Sequence, residues 1–157
     1  EFAKAHPEIK WVYKPHPCLE DYLKTYKTQD EIASYKKEWA KIGIVCESGD
    51  YFDIFLKSKA MISDCGSFQT EYFLTKNPFI HLQSKNPTPF NSFVQRINDT
   101  YYKVKTADEL NKTLTEVLIN NNDSKKEERI KLYNELNMQN NYAAKNIYDD
   151  ILAILKD

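Results

Sequence analysis

Lys59-Ala60-Met61-Ile62-Ser63-Asp64-Cys65-Gly66-Ser67-Phe68-Gln69-Thr70-Glu71-Tyr72 decides the fold. A short apolar run (Ala60, Met61, Ile62) stops at a polar turn, and a helix-forming stretch follows at once. This is the pattern of a strand, a tight turn and a helix N-terminus, with Gly66 where the backbone must come close to something. The first N–H groups of a helix lack intrahelical partners, and the helix dipole places partial positive charge there. Such a turn suits a phosphate or diphosphate.

The same alternation extends in both directions. Upstream, β-prone residues at 9–13 stop at Lys14-Pro15-His16-Pro17, because two prolines cannot continue a ladder. Residues 18–42 carry apolar side chains at helical spacings and hold one or two helices. Gly43 punctuates them, and Ile44-Val45-Cys46 reads as a second strand. Asp50 is expected to cap a short helix, with Asp53 completing an approximate capping box. The third strand spans 60–63, and its helix runs to about Thr75. Asn77-Pro78 breaks that helix before a fourth strand, Phe79-Ile80-His81-Leu82. A helix over 90–98, a fifth strand over 101–104 and three helices over 107–119, 124–136 and 142–156 complete the chain.

Strands alternating with helices predict a Rossmann-like α/β domain with one parallel sheet of about five strands, helices on both faces and a helical C-terminal tail. Residues 1–157 read as a single domain. The chain starts at Glu1 inside a helical pattern, which reads as a piece of a longer protein. In open parallel sheets, ligands sit beyond the carboxyl ends of the strands. That rule selects Lys14-Pro15-His16-Pro17, Glu47-Ser48-Gly49-Asp50 and Asp64-Cys65-Gly66-Ser67, three polar turns expected to converge on one cleft.

Composition narrows the chemistry. The formal charge is −1, with Lys and Arg scattered among the acids, so no strongly basic nucleic-acid face is expected. No apolar run approaches the ~20 residues that cross a bilayer. Three widely spaced cysteines without a CxxC pair read as reduced thiols of a cytosolic protein. His6, His16 and His81 have no metal-ligand spacing, so no structural metal is expected. A dinucleotide dehydrogenase is disfavoured, since no Gly-x-Gly-x-x-Gly follows a strand.

Each candidate residue has a stated role. Gly66 and Ser67 would give backbone N–H groups to a diphosphate, and the Ser67 hydroxyl a further donor; the plainer alternative is an ordinary turn with Ser67 as a cap. Ser63 and Cys65 belong to the same turn. Cys65 has no base near in sequence, so it is read as turn rather than nucleophile. Asp64 would repel phosphate, and is expected to fix the turn by accepting backbone N–H bonds. Glu71, one turn further on nearly the same face as Ser67, could accept hydrogen bonds from ribose or glycerol hydroxyls. His16, stiffened between prolines, could serve as a cation or proton donor to a leaving phosphate, with Lys14 a fixed charge beside it. His81, in a buried strand, reads as a satisfied core histidine.

At these residues the chain resembles the C-terminal, donor-binding half of a GT-B-fold transferase, and in particular the CDP-glycerol glycerophosphotransferase family. Tyr13-Lys14-Pro15-His16-Pro17 resembles that family's basic-x-His-Pro strand end. Ile62-Ser63-Asp64-Cys65-Gly66-Ser67 resembles its Asp-x-Ser-Ser turn. Asn141-Tyr142-Ala143-Ala144-Lys145-Asn146-Ile147 resembles the start of its last helix. The family usually has Ser where Gly66 stands. The Ser-Asp-x-Gly-Ser…Glu form also resembles UDP-N-acetylglucosamine 2-epimerases and other UDP-sugar enzymes.

The resemblance implies transfer of glycerol phosphate from a CDP-activated donor to a teichoic-acid or capsule-type polymer or a lipid-linked acceptor. It places a catalytic role on His16, donor binding on Lys14, Ser63, Asp64, Cys65, Gly66, Ser67 and Glu71, and the acceptor site in an N-terminal domain outside this chain. It implies a cytoplasmic location, peripheral at the inner membrane face, and a chain inactive alone. No cofactor is implied, although a divalent cation carried on the donor diphosphate stays open. In GT-B enzymes the terminal helix packs on the N-terminal domain; packing on this domain's own sheet is the alternative. The remaining class is a Rossmann-like interaction domain with no ligand.

Overall fold

The computed structural model describes residues 1–47, 49–136 and 142–155. These form two compact units, Glu1–Tyr51 and Phe52–Asp157, and each is mixed α/β.

In the first unit, α1 (Phe2–Ala5) precedes β1 (Val12–Tyr13), followed by α2 (Leu19–Leu23), α3 (Gln29–Ile42) and β2 (Ile44–Val45). β1 and β2 pair in parallel, Val12 opposite Ile44 and Tyr13 opposite Val45. Pro15 stops β1 two residues after its last paired position. Gly43 lets β2 enter, since a Cβ there would lie 2.3 Å from the Trp11 carbonyl oxygen. α3 starts at a full capping box, in which Thr28 Oγ1 accepts from the Glu31 N–H at 3.3 Å and the Glu31 carboxylate accepts from the Thr28 N–H at 2.8 Å. Ile32 is its buried anchor.

In the second unit, α4 (Phe52–Lys57), β3 (Met61–Ser63), α5 (Gly66–Phe73), β4 (Phe79–Leu82), α6 (Ser92–Asp99) and β5 (Tyr102–Val104) alternate strictly. The sheet is parallel in the order β3-β4-β5. Ser63 is opposite His81, and His81 opposite Lys103. Its core is aromatic: Tyr72, Phe73 and Phe79 are fully buried, and Phe79 stacks on Tyr101 at 4.9 Å between ring centroids. Burying each such ring contributes roughly 1.5–3 kcal/mol. α7 (Ala107–Leu114) continues into one π-helical turn over Thr115–Ile119, where Asn120 N–H reaches the Thr115 carbonyl five residues back at 2.9 Å. α8 (Lys126–Glu135) and α9 (Ala143–Ile154) follow.

The five expected strands form, but as two parallel sheets of two and three strands instead of one sheet of about five. The reason lies in β1 and β2: each has only two paired residues, and Val12 and Ile44 keep exposed side chains. α4 starts at Phe52, with Asp53 in its first turn bonded to Lys57 at 3.0 Å and Asp50 two residues ahead of the helix. The apolar stripe of α9 is not packed on its own sheet: Ile147, Ile151, Ile154 and Leu155 are all exposed. Ser48, Asn141 and Lys156, which entered the expected turn, motif and last helix, lie outside the described residues. Among the described residues no helix is long and apolar enough to cross a membrane.

Candidate functional site

The turn after β3 is built by a serine. Ser63 Oγ accepts a hydrogen bond from the Cys65 N–H at 3.0 Å, a side-chain mimic of a backbone turn that bends the chain out of the strand. This is the role the sequence assigned to Asp64. Asp64 is exposed and accepts no hydrogen bond among the described residues, so that expectation is corrected. The shorter serine closes the turn, and the carboxylate stays in water.

Cys65 then occupies the N-cap of α5 with extended backbone (φ −77°, ψ 121°), and its side chain gives no cap. Its Sγ lies 3.2 Å from Ser67 Oγ. The backbone N–H groups of Gly66 and Ser67 have no partner among the described residues, and no acid stands in the first turn. An uncapped helix start with an exposed serine in its first turn can hold an anion through those N–H groups. Gly66 answers to a neighbour within the protein: a Cβ there would lie 3.2 Å from Cε1 of Phe90. Glu71 is half-buried in the second turn.

Two further side chains stand at this end of the sheet, neither with a functional role expected from the sequence. His81 is 6% exposed, and its Nδ1 lies 2.9 Å from Oδ1 of the buried Asn98. The Phe90 ring leans on the imidazole at 5.7 Å between centroids. Burial pushes the His81 pKa below 6.5, helped by Lys103 and opposed by the Asn98 hydrogen bond and by Asp64. The signal for His81 was in the sequence, as the one polar residue in an apolar strand. Phe90 carried none, because its contact crosses a loop of several residues.

Lys14, His16 and Glu47 belong to the first unit. His16 is exposed, and its Nδ1 accepts the Cys18 N–H at 3.1 Å. That bond makes Nε2 the nitrogen that carries the hydrogen in the neutral ring. His16 lines a cleft of about 140 Å³ with Tyr13, Tyr35, Glu20, Lys36 and Glu47. Lys36 bridges the two carboxylates, at 2.7 Å to Glu20 and 2.8 Å to Glu47. Those partners push the Lys36 pKa up, and Lys36, followed by Lys24, holds the Glu20 carboxyl below its usual range. Burial, then the Tyr35 hydroxyl, raises the Tyr13 pKa. Lys36, which lines this cleft, is therefore taken up by two acids. Lys14 is half-buried in the strand-end segment ahead of His16.

The structure thus joins Ser63, Cys65 and Ser67 by hydrogen bonds in one unit, and sets His16 and Glu47 around one cleft in the other. Among the described residues no cluster of His, Cys, Asp and Glu has the makings of a metal site. All three cysteines are free. No family model matches this chain, and no curated protein or solved structure is detectably similar to it.

Proposed function

We propose that the β3–α5 turn is a nucleotide-diphosphate site, and that the chain is the donor-binding part of a glycerophosphotransferase with CDP-glycerol as donor. The observation that carries the reading is the uncapped start of α5, with the Gly66 and Ser67 N–H groups unpartnered at the carboxyl end of a parallel strand. Helix dipole and N–H groups act together there, and phosphoryl transfer depends chiefly on such positioning and charge stabilisation. In this reading the second unit is Rossmann-like and belongs to the C-terminal half of a GT-B fold.

Within it, Ser67 and Gly66 hold the diphosphate and Glu71 takes a ribose or glycerol hydroxyl. Cys65 orients the Ser67 hydroxyl. His16, in the first unit, is the proposed proton donor through Nε2, and Lys14 the fixed charge beside it. The acceptor is a polymer or lipid-linked alcohol bound by a further domain, and the enzyme works in the cytoplasm at the inner membrane face. The Ser63-Asp64-Cys65-Gly66-Ser67…Glu71 pattern keeps a UDP-sugar donor as the second reading.

A thermal-shift titration with CDP-glycerol, CDP, UDP-N-acetylglucosamine and UDP tests this. A ligand at a hundredfold excess over Kd stabilises by about 2.7 kcal/mol. Stabilisation by the CDP compounds, lost in the Ser67→Ala/Glu71→Ala variant, is the expected result. Response to UDP compounds alone moves the reading to a sugar nucleotide. Silence from all four supports an interaction domain with no nucleotide.

A further inference from the structure

We propose that the cleft beside β1 is a binding site for a small neutral polyol, held by Lys36 and Glu47 against the rings of Tyr13 and Tyr35. The cleft lies wholly within the first unit and owes nothing to the start of α5.

Its walls come from separate stretches of the chain. Tyr13 ends β1, Glu20 stands on α2, Tyr35 and Lys36 on α3, and Glu47 follows β2. Lys36 draws the two acids to one point, at 2.7 Å from Glu20 and 2.8 Å from Glu47. The polar groups are thereby held in place before a ligand arrives, and preorganised groups bind at lower entropic cost.

Charge and volume decide the class of ligand. Lys36 is matched by both acids, and Lys24 pairs with Glu20 from outside the lining at 3.2 Å. Neither an anion nor a cation therefore finds an unmatched counter-charge among these groups, and a neutral ligand needs none. The volume of about 140 Å³ holds about five waters at ~30 Å³ each, which suits a short chain and excludes a nucleotide.

Hydroxyls fit what the lining leaves open. The Lys36 ammonium has three donors and gives one to each acid, so one remains. Glu47 meets Lys36 through Oε1, and its Oε2 accepts no bond among the described residues. A hydroxyl donates and accepts at once, so neighbouring hydroxyls can take up the Lys36 donor and the Glu47 oxygen together. Tyr13 and Tyr35, edge to face at 5.9 Å between centroids, supply an apolar wall for the C–H side of the same molecule.

Backbone amide NMR of the chain, titrated separately with glycerol, propan-1-ol, inorganic phosphate and ethylammonium, tests this. Glycerol is expected to shift the Tyr35, Lys36 and Glu47 amides saturably, and the other three are not. Propan-1-ol keeps the carbon chain and lacks neighbouring hydroxyls. Glu47→Ala should raise the Kd for glycerol about tenfold, the order of one lost hydrogen bond to a charged group. Glu47→Gln keeps an acceptor and should recover most of the affinity. Saturable shifts with phosphate or ethylammonium make the cleft a charged-ligand site and overturn the proposal. Equal responses to glycerol and propan-1-ol, saturation by none of the four, or a Kd for Glu47→Ala within twofold of the unaltered chain overturn it too. The titrations of the unaltered chain decide the matter even if Glu47→Ala does not fold.

Discussion

The ring of Phe90 fills the place beside Gly66, with Cε1 at 3.2 Å from where a Cβ would stand. This contact ties the end of the loop after β4 to the first residue of α5. It explains the glycine without a ligand, since the space is needed by the protein itself. Alanine favours a helix over glycine by up to about 1 kcal/mol, so the two effects oppose one another. The expected signature is coupling: Gly66→Ala is worse in the native background than in Phe90→Ala, by at least about 0.5 kcal/mol in a double-mutant cycle. Additive effects by chemical denaturation would contradict the contact.

Gln69 gives a second outcome. It is fully buried on α5, and neither atom of its side-chain amide has a partner among the described residues. Its backbone carbonyl, by contrast, accepts the Tyr101 hydroxyl at 2.7 Å. Leaving buried polar groups unpaired costs about 1–3 kcal/mol. Gln69→Met, of similar length, should therefore raise the denaturation midpoint and keep the Tyr101 bond. A fall in stability would show that the amide has a partner such as an internal water.

Arg129 is a mixed case, since its Nη1 has no partner among the described residues while its Nε and Nη2 are bonded. Its side chain is fully buried; it donates from Nε to the Lys76 carbonyl at 2.8 Å and pairs with Asp123, which also accepts the Tyr102 hydroxyl at 2.9 Å. Lys76 has positive φ (60°) in the turn between α5 and β4, so Arg129 braces that turn. Asp123→Ala leaves a buried cation without its counter-charge, a loss of about 3–5 kcal/mol. An Arg129→Met/Asp123→Ala double variant should be less damaged than Asp123→Ala alone, as read by thermal unfolding.

The pH dependence of stability has a sign set by His81. Burial lowers its native pKa below 6.5, with Lys103 acting in the same direction and Asn98 and Asp64 against it. The unfolded state then binds more protons than the native state just below pH 6.5, so stability rises with pH there. The contribution is fully present above pH 6.5 and is lost as pH falls through the lowered native pKa. His81→Phe should flatten the denaturation profile in that window. An unchanged slope would place the pH dependence elsewhere.

Local signals carried much of this fold. The Phe79–Leu82 strand is a short apolar run between breakers, and β4 has those bounds. The apolar-to-polar step at Ser63 marks the end of β3, and α5 follows within three residues. The division into two sheets was not legible, because periodicity says which residues form a strand and nothing about which edges pair. Nor were the capping boxes at Thr28 and Thr106 read, although Thr-x-x-Glu stands at both. At the site, the turn and Ser67 were legible as a pattern. The exchange of roles between Asp64 and Ser63 was not, since both side chains can bend a turn and only geometry chooses. The His81–Asn98 pair and the Phe90–Gly66 contact span 17 and 24 positions, beyond any local signal.

The central claim is that the start of α5 binds a nucleotide diphosphate. Backbone amide NMR of the chain titrated with CDP-glycerol tests it directly. The account predicts saturable shifts of the Gly66 and Ser67 amide resonances, the donors without protein partners, and their weakening in Ser67→Ala. Titration that leaves those two amides unmoved would contradict it.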